Sequence, residues 1–324
     1  MKRFALPGAI GLLLALGLHV APAQAQLART FVSSLGNDAN DCGRPTPCRT
    51  FQRAHDNTLA NGEITVLDPG GYGAVTITKT ISIINDGVGE AGALVSGGAN
   101  GITVSAGAGD RVSLRGLTIK GIGFGGGNGI VFNSGASLTI ENCAIRNHTN
   151  IPLSLSGGKG IWYRPNASSS LAVSNTFIAD NEDSGILLLP SGSGIVKAVF
   201  SRVELYNNGF TGLLVDGSFS TGTINATVLD SVAHNNGITG FSVRSTVSQA
   251  AARLMLVRSA AANNNQSGVT ADGGNATVRI GQSTVTGNTA GWLAIGGATV
   301  RSYGNNNIDG NTSSEAAPTA IPPK

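Results

Sequence analysis

The sequence is poor in charge and in large rings. Only 12% of its 324 residues are Asp, Glu, Lys or Arg, and 5% are Phe, Trp or Tyr. A core built mainly on aromatic packing is therefore excluded. Without the basic start at Lys2 and Arg3, the formal charge falls from +3 to +1. A chain so close to neutral offers no electrostatic case for binding nucleic acid. Only one long apolar run exists, from Pro7 to Val20, and it is short of the roughly 20 residues needed to cross a bilayer. It follows Lys2 and Arg3 and precedes Ala23-Gln24-Ala25, the pattern of an export signal cut after Ala25. The expected location is periplasmic or extracellular, with no transmembrane segment in the mature chain.

Glycine is abundant instead: 47 residues, about one in seven and double the usual share. No glycine triplet runs through the chain, which excludes collagen. Hydrophobic residues reach 41%, too many for a disordered chain. Of three cysteines, Cys42 and Cys48 share the short loop CGRPTPC. In an oxidising compartment they are natural disulfide partners. A metal site there is disfavoured, because no second Cys or His pair accompanies them.

One unit recurs, a glycine followed by apolar–any–apolar. It starts at Gly101, Gly129, Gly160, Gly185, Gly212, Gly240, Gly268 and Gly291, at intervals of 28, 31, 25, 27, 28, 28 and 23 residues. The first apolar position reads Ile102, Ile130, Ile161, Ile186, Leu213, Phe241, Val269 and Trp292. This alternation is that of a strand with one buried face. A second element lies between these strands. Its inward positions include Ile140, Val173, Phe200, Val228, Leu256 and Ile280; three residues on stand Cys143, Thr176, Val203, Ser231, Ser259 and Ser283. Two further on come Ile145, Ile178, Leu205, Ala233, Ala261 and Val285. A step of three followed by a step of two predicts a strand, a tight bend and another strand. Asparagine closes most units, at Asn147, Asn181, Asn207, Asn208, Asn235, Asn236, Asn263, Asn264 and Asn288. Gly and Asn both accept the positive φ of a turn, and stacked Asn side chains can bond along a column.

A chain winding once per unit would stack each strand about 4.8 Å from its equivalent. The expected fold is all-β: a single right-handed parallel β-helix solenoid of about ten coils with a short N-terminal capping helix. Leucine-rich repeats would need Leu at fixed spacing, and a β-sandwich would turn every 8–12 residues. The expected divisions are a signal peptide over 1–25, an N-terminal cap over 26–62, the β-helix over 63–311 and a disordered tail over 312–324. In the cap, Thr46-Pro47 reads as a helix start, with Phe51, Ala54, His55 and Thr58 on one side.

The head, FVSSLGNDANDCGRPTPCRTFQRA followed by GEITVLDPGGY, resembles the N-terminal segment of exported right-handed β-helix repeat proteins. The coils resemble the wider pectate-lyase-like superfamily. The resemblance covers nearly all of residues 30–311 and implies a carbohydrate-related role. It carries over no catalytic residue. The N-T-D, D-D, G-H-G and R-I-K marks of polygalacturonase-like hydrolases are missing, as are the W-I-D-H and R-x-P-x-x-R marks of pectate lyases; Arg164-Pro165 lacks the second Arg.

Candidates from the residues themselves are few. Asp180, Glu182 and Asp183 form the densest acidic stretch, DNED. Sugar hydrolysis needs two carboxylates about 5–10 Å apart, and a lyase needs calcium and a base. A solvated turn is the plainer reading. No metal site is expected elsewhere. His55, His148 and His234 are expected to face solvent. Arg202, Asp230 and Arg258 would stack in alternating charge along the axis. The outward row of the glycine-headed strands reads Val131, Trp162, Leu187 and Leu214 over four consecutive coils. Such an apolar stripe is either covered by a loop, the tail or a second chain, or it is a platform with Trp162 stacked on a sugar ring. The functional expectations are therefore a non-catalytic binder of polysaccharide or another surface component, a polysaccharide lyase or hydrolase acting at the acidic stretch, or a self-associating adhesin-like protein.

Overall fold

The computed structural model describes residues 26–123, 126–150 and 157–322. Residues 1–25, read as an export signal, lie outside them. Among the described residues no helix is long and apolar enough to cross a membrane.

The glycine-headed strands pair in parallel, each with its equivalent in the next coil, as one nine-stranded sheet running from Val75–Ile77 to Ala290–Ile295. Ile186 pairs with Leu213, Leu213 with Phe241 and Phe241 with Val269. All four are fully buried, so the predicted interior file exists. The second file, Val104, Phe132, Tyr163, Leu188, Val215, Val243 and Ala271, is equally buried. Each fully buried large aliphatic side chain contributes about 1.5–3 kcal/mol. These columns are the main source of stability.

The remaining strands form a second, twenty-stranded parallel sheet. Most coils contribute a strand, a two-residue bend and a shorter strand, as in Ser137–Glu141 and Ala144–Arg146, while Ser169–Ala179 and Val196–Tyr206 run through the bend as one strand each. The bend residues Asn142, Asn175, Arg202, Asp230, Arg258 and Gln282 have φ between 46° and 53°. The next residue turns its side chain inward. There the hydroxyls of Ser231, Ser259 and Ser283 accept the backbone N–H of Val203, Ser231 and Ser259 in the preceding coil (3.0, 3.1 and 3.2 Å). Cys143 fills the same row, buried and unbridged, and burial pushes its thiol up to about 11.

A second left-handed residue ends each coil: Asn147, Asp180, Asn207, Asn235 and Asn263, with φ of 53–62°. The residue after it points inward, and five consecutive Asn–Asn bonds of 2.9–3.0 Å link Asn181, Asn208, Asn236, Asn264, Asn288 and Asn311. Each amide from Asn208 on also donates to a carbonyl of the preceding coil, as Asn236 Nδ2 does to Leu205 O (3.1 Å). Pairing from coil to coil along this run removes the cost of burying each amide. His148 occupies this inward row, not an exposed turn. It is 1% exposed, its N–H donates to Asn181 Oδ1, and its Nε2 lies 3.4 Å from Ile119 O.

The N-terminal cap differs in detail from expectation. Cys42 and Cys48 are bridged. The helix spans Phe51–Asn57 and its N-cap is Thr50, whose hydroxyl accepts Arg53 N–H (3.2 Å). The Thr46-Pro47 start fails because Asp38 holds the chain outside the helix. Its carboxylate accepts the N–H groups of Arg49 and Thr50 and the Thr50 hydroxyl. The helix lies against the first strand of the nine-stranded sheet. Gln52 Oε1 accepts Thr76 N–H (2.8 Å) and His55 Nε2 accepts Thr78 N–H (3.3 Å). His55 is thus buried as well, and burial lowers its pKa. Beneath the cap, burial would raise the Asp68 carboxyl, but hydrogen bonds from Ser33, Ser34 N–H and Tyr72 outweigh it and hold Asp68 at about 2.

Residues 312–322, expected as part of a disordered tail, are laid along the last coil. Ser313 bridges to Ala290, and Thr319–Ala320 pair with Arg301 and Ser302. A strand edge recruits such a segment whatever its polarity, because the pairing is made by backbone.

Candidate binding site

The outward row of the nine-stranded sheet is not the open stripe that its sequence suggests. Val131 is 2% and Leu187 8% exposed, so neither is available to a ligand. Both flank Trp162 in register, and the large indole lies between them. Trp162 and Leu214 are half-buried. Two cations overlie the Trp162 ring, the Arg164 guanidinium at 4.2 Å and the Lys159 ammonium at 5.3 Å from its centroid. Such contacts favour the ring face by electrostatics.

Beside this ring the loops leading to the second sheet leave a groove of about 420 Å³. Its lining is Asn133, Trp162, Arg164, Asn166, Leu189, Ser191 and Phe219. Arg164 is exposed and its Nε donates to Asn133 Oδ1 (2.8 Å); no carboxylate pairs with it among the described residues. Phe219, on the loop two coils further on, is 69% exposed. The groove therefore combines two aromatic rings with amide, hydroxyl and guanidinium groups, a combination able to stack on one face of a ring and hydrogen-bond its rim. Sequence reasoning reached Trp162 but missed Phe219, Asn133 and Arg164 as its neighbours. The signal was an aromatic residue in a Gly/Ser loop with no inward register to explain it.

The acidic stretch is divided among separate tasks. Asp183 pairs with the buried ammonium of Lys159 (2.6 Å), and its Oδ1 accepts Ser184 N–H and Oγ–H. Glu182 Oε2 accepts Asn150 N–H (2.6 Å). Asp180 sits at the left-handed turn and accepts from Asn207 Nδ2 (3.2 Å). Asp180 and Glu182, with Asn147, Thr149 and Asn207, border a second depression of about 400 Å³. Among the described residues no three His, Cys, Asp or Glu gather closely enough to hold a metal ion.

Two other outward features are structural. Arg258 forks onto Asp230 (2.8 and 3.0 Å), whereas Arg202 donates to Asn175, so only one of the two expected charge pairs is a hydrogen-bonded one. His234 is half-buried and stacks on Tyr206 at 5.0 Å, which in turn touches Phe177 at 4.6 Å. This aromatic row was not foreseen; Tyr206 and His234 are stacked, and Phe177 is tilted against Tyr206 by 52°.

No curated protein sequence matches the chain. Among solved structures, the pectate lyase Pel9A is 16% identical, with a TM-score of 0.57 over 90% of this chain and 82% of that one. The Dettilon tailspike protein is 12% identical, with a TM-score of 0.43 over 80% of this chain and 61% of that one. A rhamnogalacturonan lyase is 10% identical, with a TM-score of 0.36 over 87% and 75%. At these identities the likeness concerns the fold. The family described as right handed beta helix region matches residues 65–313. From its buried files, its asparagine column and this match, the chain belongs to the right-handed beta helix family.

Proposed function

We propose that this is an exported protein that binds a saccharide without cleaving it, with the groove beside Trp162 as the binding site. The observation that carries this reading is the convergence of Trp162, Phe219, Arg164 and Asn133 on one open depression. Stacked coils set these groups side by side. The carboxylates Asp180, Glu182 and Asp183 support the non-catalytic half of the reading, since each already holds a turn or a neighbouring strand. Export agrees with the Cys42–Cys48 bridge.

The test is a polysaccharide panel presented to purified protein lacking residues 1–25, reading retention and product release together. Trp162→Ala and Phe219→Ala should each weaken retention about tenfold, with no product released by any variant. Retention unchanged in both variants would remove the groove from the account. A second reading, cleavage at the depression beside Asp180 and Glu182, gains support if products form and Glu182→Gln or Asp180→Asn abolishes them.

A further inference from the structure

The two ends of the solenoid are finished differently. At the N-terminal end, Gln52 and His55 of the helix accept the N–H groups of Thr76, on the first strand of the nine-stranded sheet, and of Thr78 just past it. At the other end, the strand Ala290–Ile295 pairs along its length with Ser267–Asp272 and on its outer side bridges at Ala290 alone, to Ser313. On its outer side the backbone partner among the described residues is Ser313, whose carbonyl accepts Gly291 N–H (2.9 Å). The indole N–H of Trp292 donates to Ala316 O (2.7 Å), and the tail then leaves this edge, through the buried Pro318, for Arg301 and Ser302. The consequence is visible in the core. The file from Val104 to Ala271 is buried in every coil, within 0% exposure, but its last member Ala294 is exposed. Ile295 beside it is 50% exposed. The twenty-stranded sheet does not share this gap, because Thr319–Ala320 pair with Arg301 and Ser302.

We propose that the edge Trp292–Ile295 is an interface at which a second copy of this chain docks end to end. A two-fold axis across the solenoid sets each edge antiparallel to itself, so that each copy supplies the backbone partners the other lacks. The exposed end of the file that finishes at Ala294 is then covered, and Leu293 and Ile295 on the outward face meet their equivalents. The last coil and the tail laid on it carry both signs, Arg301, Asp309 and Glu315, all exposed. The rotation can therefore bring unlike charges together. Growth stops at two copies, because the opposite end of the nine-stranded sheet is closed by the helix. The proposal is independent of the saccharide groove, which lies several coils away in sequence.

Sedimentation velocity over a concentration series tests it, with amide hydrogen exchange as a second readout. The expected result is a monomer–dimer equilibrium in which the amides of 292–295 gain protection as concentration rises. Ala294→Lys with Ile295→Lys should weaken dimerisation at least about tenfold while leaving far-UV circular dichroism unchanged. A monomer at every soluble concentration overturns the proposal, as does an open-ended series of larger species. Dimerisation that the double variant leaves intact also overturns it. So does protection of 292–295 that appears only when an extended peptide is added to a monomer.

Discussion

His148 stands where an asparagine stands in the coils that follow, and it does an asparagine's work. Its backbone N–H reaches Asn181 Oδ1 and its Nε2 faces Ile119 O. Burial lowers its pKa to about 4. Below about pH 6.5 the unfolded chain gains a proton at this residue that the folded chain refuses. The stability it contributes is therefore complete above 6.5 and lost as pH falls toward 4. At pH 4.5 the loss is on the order of 2–3 kcal/mol. Asn in this position keeps the column and cannot titrate. In urea unfolding at pH 7 and 4.5, His148→Asn should lose roughly 2–3 kcal/mol less than the parent protein on acidification. An equal loss in both proteins would contradict this account. His55, also held neutral by burial, adds a decline of the same sign in both proteins and cancels in the comparison. Asp68 acts lower, since a carboxyl held at about 2 gives up its stabilisation only as pH falls below about 3.8. The buried state of His148 was hidden in the sequence because Asn-Asn pairs read as polar turns. Only the first residue of each pair is the turn; the second is inward, and its satisfaction depends on the neighbouring coil.

Each glycine-headed strand needs its glycine for close approach. A Cβ on Gly212 would lie 2.7 Å from Gly240 O and 3.1 Å from Asn236 Nδ2. Both belong to the stacked frame and cannot yield independently. Gly212→Ala should therefore cost about 1–3 kcal/mol in denaturant unfolding. Gly109→Ala, where nothing lies within 4 Å, should be close to neutral. Equal effects would argue against the close contact between coils. These strands were legible because alternation and recurrence point the same way, as Ile186, Leu213 and Phe241 show. The two-strand element was legible from its broken step, which marks the left-handed residues Arg202, Asp230 and Arg258. The helix start was not, because Asp38, twelve residues before Thr50, decides it. The candidate site was half legible. Alternation places Trp162 outward, but whether Val131 and Leu187 are covered depends on side chains from adjacent coils.

At the scale of the molecule, each function argued above rests on one property: every glycine-headed unit makes one circuit. That circuit brings Phe219 to the groove of Trp162 and leaves Ala294 at an open end. It also sets the outward residues Val199, Thr227 and Met255 in successive register on the second sheet. Neighbouring strands stand about 4.8 Å apart and strands two coils apart about 10 Å, whereas a disulfide spans Cα separations of about 4.4–6.8 Å. The most direct measurement is therefore disulfide formation in two paired-cysteine variants under mild oxidation, read by mass after alkylation. Val199→Cys with Thr227→Cys should close an intramolecular bridge, and Val199→Cys with Met255→Cys should keep both thiols free. Closure of the second pair in place of the first would contradict the one-circuit register.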